Sequence, residues 1–204
     1  MAQPKRLIIG LGSGRCGTVS LSVLLNQSPE ANITHEARPL TPWNVDTGHI
    51  TDKLGQMMTR SSAIVGDVAY SYLPYVDQLA TRVPEALFVC LRRDRFEDVV
   101  ESLLRKTERT NHWADHDGSV WETDQHWDPT MPSYPPMDKR LAVERYVTEY
   151  YQMAEELESR NPDRFRIFAT SSLNSPLGVR AILAFCGLPE SVGPVGIHEN
   201  RLLS

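Results

Sequence analysis

A short apolar run that stops on glycines constrains this chain more than any other feature. Arg6 to Leu11 carries Leu7-Ile8-Ile9, and Gly12-Ser13-Gly14-Arg15-Cys16-Gly17-Thr18 follows it. Val19 to Leu25 then sets Val19, Leu21, Val23, Leu24 and Leu25 at helical spacing before Pro29. The pattern predicts a buried strand, a glycine turn and a helix. Glycines permit positive φ and close approach of the backbone to a ligand. The helix start beyond them offers free N–H groups and the positive end of the helix dipole. Together these make an anion site, with Arg15 as a cation and Thr18 and Ser20 as hydroxyl donors.

The rest of the chain repeats the alternation. Strands are expected at Asn32 to His35, Ala63 to Val65, Ala86 to Leu91 and Phe165 to Ala169. Helices are expected at Ile50 to Arg60, Leu73 to Arg82, Phe96 to Lys106, Lys139 to Arg160 and Leu177 to Cys186. Short apolar strands alternating with helices predict an α/β fold of three layers, a mostly parallel sheet flanked by helices. Ligands in such sheets bind at the carboxyl ends of the strands. Tyr146, Tyr150 and Tyr151 share a helix with Leu141, Val147 and Leu157, so most of their rings are expected in the core.

Composition narrows the function classes. The chain has 204 residues, 41% hydrophobic and 23% charged, which suits one domain over 1–204. A net charge of -5 argues against a broadly basic nucleic-acid binder. Cys16, Cys90 and Cys186 are odd in number and far apart, which suggests neither disulfides nor a zinc knuckle. Cys90 lies in an apolar run and is expected to be buried. The lead Met1-Ala2-Gln3-Pro4-Lys5-Arg6 is too short for a signal peptide or a membrane span, so a cytoplasmic location is expected.

Several phosphate-binding templates compete for the first loop. A P-loop kinase needs Gly-x-x-x-x-Gly-Lys-[Ser/Thr]. Gly12 and Gly17 have that gap, but Thr18 follows directly and the lysine is missing. A dinucleotide fold needs Gly-x-Gly-x-x-Gly, which Gly12, Gly14 and Gly17 match. Glu36 then falls near where a ribose-binding acid is expected. The segment Arg15-Cys16-Gly17-Thr18-Val19-Ser20-Leu21 also resembles the first loop of the sulfotransferases, with Cys16 in place of the usual serine.

The resemblance extends to Arg92-Arg93-Asp94-Arg95, after the strand ending at Leu91. The sulfotransferases have an Arg-Asp-Pro-type turn there and a serine on the following helix, which together hold a 3′-phosphate. Arg93 and Ser102 are the matching residues. Arg95 stands where proline is common, and the spacing from arginine to serine is nine rather than eight. One extra residue turns a helix by about 100°. Looser likeness covers Ile33 to Pro39, Gly66-Asp67, Pro84 to Val89 and the closing strand–helix unit.

The resemblance implies transfer of a sulfuryl group from PAPS (3′-phosphoadenosine 5′-phosphosulfate) to a hydroxyl of a small-molecule, lipid or saccharide acceptor. Adenosine 3′,5′-bisphosphate would be the other product. Arg15, Cys16, Gly17, Thr18, Val19, Ser20, Arg93 and Ser102 would bind the nucleotide. Arg15 would also neutralise the leaving phosphate. Deprotonating the acceptor needs a general base. Glu36 is preferred, by likeness to the catalytic glutamate of heparan-type sulfotransferases. His35 is second and Asp67 third; the plain alternative for Glu36 is an ion pair with Arg38. No metal is needed in the resembling families.

Residues 108–138 show no sustained period and hold Trp113, Trp121 and Trp127. A segment this long without pattern reads as an acceptor-side lid. Metal binding by His112, His116, His126, Asp115 and Asp128 is the sharper alternative, since His112 and His116 have helical ligand spacing, but no accompanying Glu makes a protease motif. A P-loop-type nucleotide-dependent kinase, an NAD(P)-dependent oxidoreductase and a non-catalytic nucleotide-binding module stay open as alternatives.

Overall fold

The computed structural model of the chain describes residues 5–44 and 46–189. Met1 to Pro4, most of the short lead discussed above, lie outside the described residues, as does the end of the 1–204 domain from residue 190. Five parallel strands form one sheet: β1 (Arg6–Leu11), β2 (Ala31–His35), β3 (Ile64–Val68), β4 (Leu87–Arg92) and β5 (Phe165–Ala169), in the order β2-β3-β1-β4-β5. Six helices flank it: α1 (Thr18–Leu25), α2 (Thr47–Met58), α3 (Val76–Arg82), α4 (Phe96–Lys106), α5 (Lys139–Arg160) and α6 (Pro176–Phe185). This is the α/β fold expected from the alternation of apolar runs.

The sheet has a hydrophobic cluster on each face, and β1 feeds both. Leu7, Ile9 and Leu11 enter one cluster with α2, α3, α4 and α5, while Ile8 enters the other with α1 and α6. Successive strand side chains point to opposite faces, so a strand covered on both sides must be apolar at every position. Leu7, Ile8 and Ile9 are fully buried. Each such side chain contributes about 1.5–3 kcal/mol relative to exposure.

The helix ends explain where the expected boundaries shift. Asp46 accepts from the N–H of Gly48 (2.8 Å) and His49, so α2 starts at Thr47 rather than Ile50. Ser175 caps α6, with Pro176 in the first turn. Pro74 lies in a 3-10 turn, Tyr70–Tyr75, which delays α3 to Val76. The third strand runs on through Gly66 and Asp67 to Val68, because those residues pair with Ile8 and Ile9 of β1. A Cβ at Gly66 would lie 1.8 Å from the carbonyl oxygen of Ile8, so glycine here serves close packing and does not end the strand.

The topology fixes the position of the site. Neighbouring strands β1 and β4 lead into α1 and α4, which cover opposite faces of the sheet. Their loops diverge at the carboxyl edge and open a crevice between them, the usual ligand position in open α/β sheets.

Candidate functional site

The loop after β1 is held in an unusual backbone shape. Gly12, Gly14 and Gly17 have φ of 149°, 86° and 91°, and Arg15 has φ 56°. A Cβ at Gly12 would meet the Cys16 sulfur at 2.3 Å. No side chain caps α1, and its first turn closes with Leu21 N–H donating to Gly17 O. The amides of Thr18, Val19 and Ser20 therefore have no partner within the helix, and all three residues line the cleft. These are the donors an anion needs.

Three tyrosines of α5 hold this loop from below. Gly12 N–H donates to the Tyr150 hydroxyl at 2.9 Å. The Tyr146 hydroxyl donates to the Ser13 carbonyl at 3.0 Å. The Tyr151 hydroxyl donates to the Leu91 carbonyl at 2.9 Å and accepts from the Ser13 hydroxyl at 3.1 Å. All three rings are buried, so these are core aromatics whose polar tips fix the anion loop. Burial pushes their hydroxyls above the ordinary tyrosine range, which keeps them neutral donors.

The expected second cluster meets the first. Arg15 Nε donates to the Ser102 hydroxyl at 3.1 Å. Arg93 Nη1 donates to the carbonyls of Arg15 (3.4 Å) and Asp98 (3.2 Å). Arg95, in the turn before α4, is extended at φ −118°. Ser102 faces Arg15. Arg105 and Lys106 lie one turn further on and line the same cleft. The i, i+3, i+4 spacing from Ser102 carried that signal, and sequence reasoning did not use it.

Cys16 is different. Its side chain is fully buried among the core residues under α1, and burial pushes the thiol up to about 11. It does not border the cleft, so only its backbone serves the loop. Its carbonyl accepts from the Thr170 hydroxyl at 2.7 Å.

The other end of the cleft is built on β2. Glu36 follows the strand with φ 48°; with Arg15 it is one of two non-glycine residues of positive φ among the described residues. Strain of this kind collects at functional positions. Burial, then the nearby charge of Asp67, pushes the Glu36 carboxyl up to about 7. Among the described residues it forms no ion pair with Arg38. His35 Nε2 lies 3.1 Å from the Thr18 hydroxyl and ties β2 to the start of α1. Burial lowers its pKa, partly opposed by Asp67, and keeps the ring neutral. Asp67 is 1% exposed and does not line the cleft. It accepts from Thr34 (2.8 Å), Tyr72 (2.9 Å) and the Ala37 N–H (3.2 Å), so it braces the Glu36 turn instead of facing a reactant.

One cavity of about 1170 Å³ joins these parts. Drug-sized sites span roughly 300–1,000 Å³, so this space is larger than one drug-sized ligand needs. Its far wall comes from the segment between α4 and α5, including His112, Trp113, Asp124 and Trp127. Trp113 is fully buried there, and the Trp127 ring stacks on Tyr70 at 6.4 Å. The histidines weighed as metal ligands separate: His112 pairs with Asp128, His116 accepts from Gly118 N–H, and His126 is exposed. Among the described residues, no group of three or more His, Cys, Asp or Glu converges on one point.

No family model and no curated protein matches the chain. Among solved structures it is similar to the crystal structure of a sulfotransferase from Alicyclobacillus acidocaldarius, at 17% identity and a TM-score of 0.58, over 98% of this chain and 88% of that one. A gluconokinase from Sinorhizobium meliloti 1021 aligns at 14% identity and a TM-score of 0.36, over 78% of this chain and 99% of that one. The first likeness is one of fold, a parallel sheet flanked by helices. No described helix is long and apolar enough to cross a membrane.

Proposed function

We propose that this protein is a transferase that moves a sulfuryl group from PAPS to a hydroxyl of a small-molecule, lipid or saccharide acceptor. One observation carries the reading: the cleft joins a glycine–arginine anion loop and a second arginine–serine cluster at one end to a carboxyl poised near neutrality at the other. Bound PAPS would supply the sulfuryl group and a phosphate leaving group. The loop amides, Arg15 and Thr18 suit its 5′-phosphate, and Arg93, Ser102, Arg105 and Lys106 suit a 3′-phosphate.

The residues divide the work. Arg15 and the free amides of α1 neutralise charge that builds on the leaving phosphate. Glu36 takes the acceptor proton as the acceptor oxygen bonds to sulfur and the bond from sulfur to the phosphate oxygen breaks. A carboxyl pushed up to about 7 is matched to that task near neutral pH. His35 holds Thr18 in place. The segment over the cleft serves as the acceptor lid within a single domain, and the protein acts in the cytoplasm without a metal.

Calorimetric titration with adenosine 3′,5′-bisphosphate, ATP, NAD and NADP tests the reading. Tight binding of the bisphosphate alone is expected. Preference for ATP would favour a kinase, and preference for NAD or NADP an oxidoreductase. Bisphosphate binding with no transfer to any acceptor would leave a nucleotide-binding module.

A further inference from the structure

Three side chains line up along the far wall of the cleft. One carboxylate oxygen of Asp128 lies 2.6 Å from His112 Nδ1, and the other accepts the Asp124 N–H at 2.8 Å. The anchored carboxylate fixes the ring and, judged from that partner, puts a hydrogen on Nδ1. The Thr110 hydroxyl sits 3.0 Å from Nε2. The His112 side chain is only 8% exposed, yet it borders the cavity with Thr110 and Asp124. In either charge state its outer nitrogen faces a hydroxyl, which both donates and accepts.

The surroundings suit a ring that carries several hydroxyls. Trp127, stacked on Tyr70, borders the cavity with an aromatic surface. Tyr70 lines the same cavity as Glu36 and Asp124, and its hydroxyl hydrogen-bonds to that of Thr130, so the β2 end and the lid meet around that residue. A sugar has an apolar C–H face for such a surface and hydroxyls at its edge for carboxylates and an imidazole.

Resting on the transfer reading, we propose that the acceptor is a saccharide or related cyclic polyol. One hydroxyl goes to Glu36, and a second is read by His112 Nε2 in place of the Thr110 hydroxyl. Asp128 is the positioning residue behind His112. The rival role is mechanical: the His112–Asp128 pair staples two parts of the lid and touches no acceptor.

Tryptophan fluorescence of the full chain saturated with adenosine 3′,5′-bisphosphate separates the two. Methyl β-D-glucopyranoside and methyl β-D-galactopyranoside are titrated beside cyclohexanol, a ring of one hydroxyl. Saturable binding of at least one pyranoside is expected, with none for cyclohexanol at equal concentration. His112→Ala is expected to weaken it about tenfold, the size of one lost hydrogen bond at a part-buried site. His112→Gln restores part of the loss. Thr110→Val removes the internal competitor and tightens pyranoside binding a few-fold, which keeps the test decisive if His112→Ala does not fold. Pyranoside binding unchanged in His112→Ala, with only a lower melting temperature, overturns the proposal in favour of the staple. So does failure of both pyranosides, or equal binding of cyclohexanol. A titration with the bisphosphate alone separates the outcomes, since loss of bisphosphate binding strikes the transfer reading and not the lid.

Discussion

The two ends of the cleft are built in opposite ways. The anion end starts from backbone, with glycine turns and free helix amides, which tyrosine hydroxyls lock onto α5 and the Arg15, Arg93 and Ser102 side chains flank. The lid end is side chains on a segment with little regular structure, held by isolated contacts such as His112–Asp128 and Tyr134–Glu149. A backbone site serves one ligand chemistry, because every chain has the same amides. A side-chain site on an irregular segment can change its ligand with a few substitutions. On the proposed reading the nucleotide belongs to the first end and the acceptor to the second.

The largest expected effect is at Glu36. Glu36→Gln should lower turnover about 10²–10⁴-fold, the usual scale of general-base loss, and leave bisphosphate affinity intact. Unchanged turnover removes Glu36 from the base role. Arg93→Ala should weaken bisphosphate binding by about 1.5–3 kcal/mol, one charged hydrogen-bond contact, as read by calorimetry. Parent-like affinity would show that the second cluster is misassigned.

Smaller effects sharpen the contrast. Tyr150→Phe strands the buried Gly12 N–H and should cost about 1–3 kcal/mol of stability in denaturant unfolding, together with weaker nucleotide binding. Trp127→Ala, at the lid, should leave nucleotide affinity within about twofold and weaken the acceptor instead, since contacts without shared partners act independently. Loss of nucleotide affinity in that variant would merge the two ends into one site.

The pH response tests the environment of Glu36 without any ligand. Its folded pKa is raised from the ordinary 4.5 to about 7. The protonated carboxyl therefore favours folding below about pH 4.5, and that stability is lost as pH rises through about 7. Glu36→Gln carries no charge and should keep it. The melting temperature of the variant minus that of the parent should grow between pH 4.5 and 7 and then level off. A flat difference would contradict the burial of Glu36 beside Asp67.

The sequence carried the anion end further than the lid. Local signals mark the first: an apolar run, glycines, a cation and a helix within a few residues, and a second arginine after another strand. The Phe96–Lys106 and Lys139–Arg160 helices were legible to the residue because their apolar stripes are long. The tyrosine support was not, because Gly12 and Tyr150 lie 138 positions apart and nothing local links a core ring to a distant loop amide. Asp67 looked like a possible base because its hydrogen-bond donors come from other elements. Cys16 looked like a ligand by its place in the motif, but the turn at Gly17 directs its side chain inward. The lid resisted reading because His112 and Asp128 follow no helical or strand period.

On the proposed reading, one cleft holds two separate phosphate sites. Thermal unfolding of the parent and of Arg93→Ala, each with adenosine 3′,5′-bisphosphate or 5′-AMP at equal concentration, tests it most directly. A ligand that binds only the folded state raises the melting temperature by mass action. A larger shift with the bisphosphate than with 5′-AMP is expected in the parent, and a smaller excess in Arg93→Ala. Equal shifts for both ligands in the parent would contradict that reading.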